Sequence, residues 1–142
     1  SETVGSSDIE ISAALIQELI DEQTAKGISH HRIILAGFSQ GGVIALQLGL
    51  RLDKRIAGIV ALSTYLHDAI KTEEQRHDAN LALPILMVHG TMDPMIPIMR
   101  AATSRENLIR LGYDVQWKDY PMGHQVCLEE LGDISAFLRS CL

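Results

Sequence analysis

The sequence predicts an α/β chain, a parallel sheet with helices on both faces. Three observations carry that expectation. The run Ile33-Ile34-Leu35-Ala36-Gly37-Phe38 is apolar without alternation, as a parallel strand covered on both faces reads. It breaks at Gly37-Phe38-Ser39-Gln40-Gly41 and passes directly into an apolar helical pattern. From there strand-like and helix-like segments alternate to the C-terminus behind short loops, which implies right-handed crossovers.

The elements follow in order. Residues 1–8 are small and polar and are expected to fray. Ser7-Asp8-Ile9-Glu10 fits a capping box, with Ser7 as N-cap and Glu10 reaching back. The helix behind it repeats Ile9, Ala13, Ile16 and Ile20, with Leu15 and Leu19 widening the stripe. Gly27 ends it. His30-His31-Arg32 is a short polar loop ahead of the first strand.

After Ser39 a heavily apolar helix is expected from about Gln40 to Leu52, and Asp53-Lys54-Arg55 turns the chain. Ile56 to Leu62 reads as a second strand. Residues 67–82 are polar and irregular, with a short helix from Lys71 to His77. Pro84 opens a third strand, Ile85 to Val88, followed by the loop His89-Gly90-Thr91-Met92-Asp93-Pro94. A helix from Ile98 to Leu111 stops at Gly112. Val115 to Tyr120 is a fourth strand, Pro121-Met122-Gly123-His124 a loop, and Val126 to Leu138 a last amphipathic helix.

The totals bound the function. The 142 residues lack a linker-like stretch, so one domain is expected. They are 46% hydrophobic and 21% charged, enough for an ordinary globular core, and the net charge of -6 comes without a basic patch. Nucleic acid is therefore not an expected partner, nor an anionic membrane surface. No apolar run reaches the roughly 20 residues of a membrane span, so stable membrane insertion is not expected. Ser1-Glu2-Thr3-Val4 lacks a signal-peptide layout. Two cysteines, Cys127 and Cys141, are too few for a disulfide framework, and a reducing cytoplasm is the simplest compartment.

In parallel sheets of this kind, sites form beyond the carboxyl ends of the strands. Ser39, Asp93 and His124 each follow a different strand. A serine hydroxyl is a poor nucleophile until a base takes its proton, and the base needs an orienting acid. Imidazoles titrate near working pH, which suits His124 to the base and Asp93 to the acid. Strand, sharp turn and helix are the setting in which Gly-x-Ser-x-Gly becomes meaningful. Gly37 and Gly41 are expected to keep that turn free of side chains. The plain alternatives are a loop histidine for His124 and a turn-forming Asp-Pro for Asp93, with Asp68 and Glu129 as other acids. His30, His31, His67 and His77 read as solvated, and His89 as a structural hydrogen-bonder. No metal site is expected, because no two histidines share a helix face.

The segments Gly37-Phe38-Ser39-Gln40-Gly41-Gly42, Ala61-Leu62-Ser63-Thr64-Tyr65-Leu66, His89-Gly90-Thr91-Met92-Asp93-Pro94-Met95-Ile96-Pro97 and Tyr120-Pro121-Met122-Gly123-His124 together resemble the phospholipase/carboxylesterase family of α/β-hydrolases, which includes acyl-protein thioesterases. The resemblance runs from about residue 8 to the end. It implies an α/β-hydrolase fold with Ser39 as nucleophile, Asp93 as acid and His124 as base. The backbone N–H of Gln40 would give half of an oxyanion hole, and Leu66 and Met95 would line an acyl pocket. The implied activity is cofactor-free hydrolysis of small-molecule esters or thioesters through an acyl-enzyme. His67-Asp68 stands where the family has a proline after Tyr-Leu, a departure at the pocket edge.

Nothing in residues 1–32 resembles the first strands and His-Gly-rich loop that the family carries ahead of this region. The expectation is a partial hydrolase domain spanning 1–142, with the N-terminal strands missing. The bare edge of strand 33–38 would then be covered by a missing N-terminal segment or another chain. The rival function, of another class, is a non-catalytic module that binds acyl ligands or a partner.

Overall fold

The computed structural model describes residues 5–142. Four parallel strands lie in one sheet in the order β1-β2-β3-β4: β1 Ile34–Phe38, β2 Gly58–Leu62, β3 Pro84–Gly90 and β4 Asp114–Tyr120. The helices are α1 Ser6–Ala25, α2 Gln40–Gly49, α3 Ala69–Gln75, α4 Ile98–Arg110 and α5 Leu128–Cys141. Short 3-10 turns occupy His30–Arg32 and Asp78–Asn80.

The two-residue period of the strands divides the core. Ile59, Ala61, Ile85 and Met87 point to one face, where they join Leu46 of α2, Leu108 of α4 and Ala13 and Ile20 of α1. Val60, Leu62, Leu86 and Val88 point to the other, where Phe137 of α5 closes over them. All of β2 is buried, which accounts for its unbroken apolar sequence. Helices therefore cover both faces.

Helix ends follow local chemistry. Gly27, at φ +100, ends α1 in a Schellman arrangement: its N–H donates to the Thr24 carbonyl and that of Ile28 to Gln23. Gly112, at φ +93, does the same for α4, with Gly112 N–H to Ile109 and Tyr113 N–H to Leu108.

Several expectations are corrected. No capping box forms at Ser7, because the Gly5 carbonyl already accepts from Ile9 and Ser7 lies inside the first turn. Residues 6–8 are helical rather than frayed, while residues 1–4 lie outside the described ones. Ser6 Oγ instead meets His67 Nε2 at 2.9 Å, so His67 is not simply solvated. Leu15 and Leu19 remain 57% and 52% exposed, since α1 lays only Ile9, Ala13, Ile16 and Ile20 towards the interior.

Helix α2 ends at Gly49 rather than Leu52. A Cβ at Gly49 would stand 2.5 Å from Ile59 Cδ1, so the helix end presses on β2 before the chain turns away. Strand β3 runs on to Gly90 and carries His89 inside the sheet. Helix α5 starts two residues later than expected, at Leu128. Strand β1 pairs only with β2 among the described residues. Its Ala36 and Phe38 are exposed, so β1 is not covered on both faces as its apolar run predicts.

Candidate active site

The turn that carries Ser39 is built from β1, α2 and the end of β2. Ser39 has φ 57 and ψ -119, backbone that an L-residue holds only under constraint, at roughly 1–3 kcal/mol. The constraints are visible. Ser39 N–H donates to the Leu62 carbonyl at 2.8 Å. Its own carbonyl accepts from Gly42 and Val43 N–H at 3.0 and 3.2 Å and from Thr64 Oγ1 at 2.6 Å.

Of the two flanking glycines, only Gly37 is required by space. A Cβ on Gly37 would lie 2.2 Å from the carbonyl carbon and oxygen of Gly41. A Cβ on Gly41 would meet nothing within 4 Å, which corrects the expectation that Gly41 also crowds the turn. Gly42 takes its place: there a Cβ would stand 2.5 Å from Thr64 Cγ2. Periodicity does not single out Thr64. The Gly41-Gly42 pair was the available signal, since two adjacent glycines at a helix start mark a close approach.

Asp93 lies in the loop after β3. One carboxylate oxygen accepts from Met95 N–H at 2.8 Å and Ile96 N–H at 2.9 Å. The other meets His124 Nδ1 at 2.7 Å. Burial pushes this carboxyl up, but the Ile96 N–H, the His124 ring and the Met95 N–H outweigh it and hold its pKa below the ordinary value. His89 Nε2 donates to the Ile96 carbonyl at 2.8 Å, so His89 is the structural hydrogen-bonder its position implied.

His124 lies after β4. Its Nε2 is 2.9 Å from Ser39 Oγ, and its ring centroid is 4.8 Å from that of Phe38. The Asp93 side chain is fully buried and that of His124 is 16% exposed. The loops of β3 and β4 are locked together. Met92 N–H donates to the Met122 carbonyl at 3.0 Å, and a Cβ at Gly90 would fall 2.3 Å from the carbonyls of Met122 and Gly123. Such a chain can pass the serine proton to the imidazole and hold the resulting charge against the carboxylate.

The remaining candidates are spread around it. Gln40 heads α2 directly after Ser39, so its N–H belongs to the positive end of that helix. Leu66 packs half-buried against the main core, and Met95 is 45% exposed beside Asp93. Asp68 caps α3 through Lys71 N–H at 3.0 Å, and Glu129 is exposed on α5; Asp93 is the acid on the imidazole. Among the described residues no group of three or more His, Cys, Asp or Glu could hold a metal. Nor is any helix long and apolar enough to cross a membrane. An apolar cavity of about 370 Å³ lies beside the open edge of β1, lined by Leu15, Ile16, Leu35, Ala36, Gly41 and Ile44 among others.

Residues 2–142 match the profile of the phospholipase/carboxylesterase family. The chain belongs to that family. It is 42% identical over 141 residues to acyl-protein thioesterase 1 of Gibberella zeae, covering 94% of this chain and 58% of that protein. It is 41% identical over 134 residues to acyl-protein thioesterase 1 of Neurospora crassa, covering 92% of this chain and 55% of that one. The chain thus spans little more than half the length of these curated relatives. The crystal structure of Arabidopsis thaliana SOBER1 superposes with a TM-score of 0.89 at 26% identity, over 97% of this chain and 66% of that one. The fold is that of the α/β-hydrolases.

Proposed function

We propose that this chain is the catalytic part of a serine hydrolase that cleaves carboxylic esters or thioesters through an acyl-enzyme. The observation that carries the reading is the continuous run of hydrogen bonds from Ser39 through His124 to Asp93. In this reading Ser39 Oγ attacks the acyl carbon while His124 Nε2 takes its proton. The oxyanion is met by the Gln40 N–H at the positive end of α2. His124 returns the proton to the departing alcohol or thiol, and Ser39 is left acylated. A water then loses its proton to His124, attacks the acyl carbon and frees the acid. Asp93 stays ionised throughout and steadies the imidazolium.

The relatives' name favours a thioester substrate, and Leu66 and Met95 are assigned to the acyl side on the family resemblance. The open edge of β1 and the apolar cavity beside it support docking of further polypeptide there, either a preceding segment or another chain. Two free cysteines are in keeping with a cytoplasmic setting.

A fluorophosphonate probe tests the reading. Wild-type protein is expected to label on Ser39, and Ser39→Ala to lose labelling and about 10⁴-fold in ester hydrolysis with its fold unchanged. A folded wild type that never labels would sink the catalytic reading in favour of a module that only binds acyl ligands.

A further inference from the structure

His124 sits in the middle of the loop 121–127, and both ends of that loop are tied to the start of α5. At the near end, Tyr120 donates its hydroxyl to the Asp133 carboxylate. That bond pushes the phenol up to about 12. At the far end, Cys127 is the N-cap of α5, and a reciprocal box joins it to Glu130. Cys127 N–H donates to Glu130 Oε1 at 3.2 Å, and the Glu130 N–H donates to the Cys127 sulfur.

Glu130 is the unusual member. A carboxylate in the first turn of a helix is easily left in water, as its neighbour Glu129 is. Glu130 is instead 0% exposed, and its Oε2 has no hydrogen-bond partner. A buried, half-paired carboxylate is costly, and such groups shift towards the neutral form. Burial raises the Glu130 pKa, the Cys127 N–H opposes the rise, and the charge of Asp133 adds to it.

We propose that Glu130 is a positioning residue for His124: through its buried carboxyl it fixes the end of the loop that aims the imidazole at Ser39. The inference rests on the hydrolase reading above and extends it beyond the three residues in direct contact. Loosening the loop would move the ring relative to Ser39, and displacements near 1 Å at a reacting group can reduce rates by about 100-fold. Substrate binding would be little changed, because Glu130 is buried and cannot touch substrate.

The test compares Glu130→Gln, which keeps the oxygen acceptor and the shape, with Glu130→Ala and with Glu130→Met, which fills the space without an acceptor. Readouts are the fluorophosphonate labelling rate, kcat and KM on a simple ester, and the ¹⁵N ring shifts of His124, with circular dichroism to confirm folding. Expected for Glu130→Ala, or for Glu130→Met if the alanine variant does not fold, is a drop of about tenfold or more in kcat and labelling. KM stays unchanged and the His124 signals move. Glu130→Gln is expected to stay within about threefold of wild type, as an acceptor of the same shape would. A folded Glu130→Met with wild-type labelling and unmoved His124 signals overturns the inference. So does a Glu130→Gln variant as impaired as the other two. If wild-type Ser39 does not label, the hydrolase reading fails, and the His124 shifts still decide the role of Glu130.

Discussion

The hydroxyl of Thr64 donates to the carbonyl of Ser39 at 2.6 Å. One residue just past β2 thereby holds the strained residue just past β1, through backbone rather than through the Ser39 hydroxyl. Thr64→Val keeps the shape and removes the donor. It is expected to cost about 1–3 kcal/mol of stability and to slow fluorophosphonate labelling of Ser39, while Thr64→Ser retains both. Thermal melts run beside labelling time courses check this. Equal labelling rates in the valine variant and wild type would show that the turn is held without Thr64.

The two glycines around Ser39 are expected to behave differently. Gly37→Ala places a methyl 2.2 Å from the Gly41 backbone, and overpacking of this kind costs about 1–3 kcal/mol or more. Gly41→Ala meets open space in α2 and is expected to be neutral or to stabilise by up to about 0.5–1 kcal/mol. Chemical denaturation of both variants decides between this and a turn that needs both glycines.

Acid stability carries the mark of Asp93. Its folded pKa is depressed, so its contribution is present above the ordinary carboxylate value and is lost as pH falls through the folded value. Glu130 has the opposite sign. Its pKa is raised, so its contribution is full below the ordinary glutamate value and is lost as pH rises through the folded one. Asp93→Asn is therefore expected to flatten the acid side of a stability-versus-pH curve, and Glu130→Gln the side above it. Denaturant midpoints measured across pH would contradict this if the two substitutions altered the same limb.

Phe137 is 2% exposed and packs on Val60, Leu62, Leu86 and Val88. Phe137→Ala is expected to destabilise by about 3–5 kcal/mol, more than any single alanine on the exposed face of α5. A loss below about 1 kcal/mol in equilibrium unfolding would mean that α5 is not what seals that face.

Much of this was legible in the sequence because each part of the site is local. Ser39, Asp93 and His124 each sit within a few residues of a strand end and within two residues of a Gly or Pro, so their placement needed only the strand pattern. What was not legible depends on distance in space. The crowding at Gly37 comes from Gly41 folding back over it, and periodicity does not show which of two glycines is the crowded one. Cys127 caps α5 where Ser or Thr is usual, so the box with Glu130 does not stand out in the sequence. Glu130 itself reads as a solvated first-turn acid, and only the packing of α5 buries it. The apolar run of β1 predicts cover on both faces of the strand, yet Ala36 and Phe38 on one face are exposed. It does not report whether a neighbour lies in the plane of the sheet.

Ser39 follows β1 and His124 follows β4, the two outer strands. Strands lie about 4.8 Å apart, so three spacings put the strand ends roughly 14 Å from each other, far beyond hydrogen-bond reach. The 2.9 Å contact exists because the loop after β4, tied to the loop after β3 by the bond from Met92 N–H to the Met122 carbonyl, reaches back to Ser39. One hydrogen bond is therefore a caliper across the four described strands. It registers the coiling accumulated over three strand pairs, about 60–75° at ordinary values. A strand added at the edge of β1 would extend that coiling, and its expected route to the Ser39 hydroxyl runs through the sheet and not through contact.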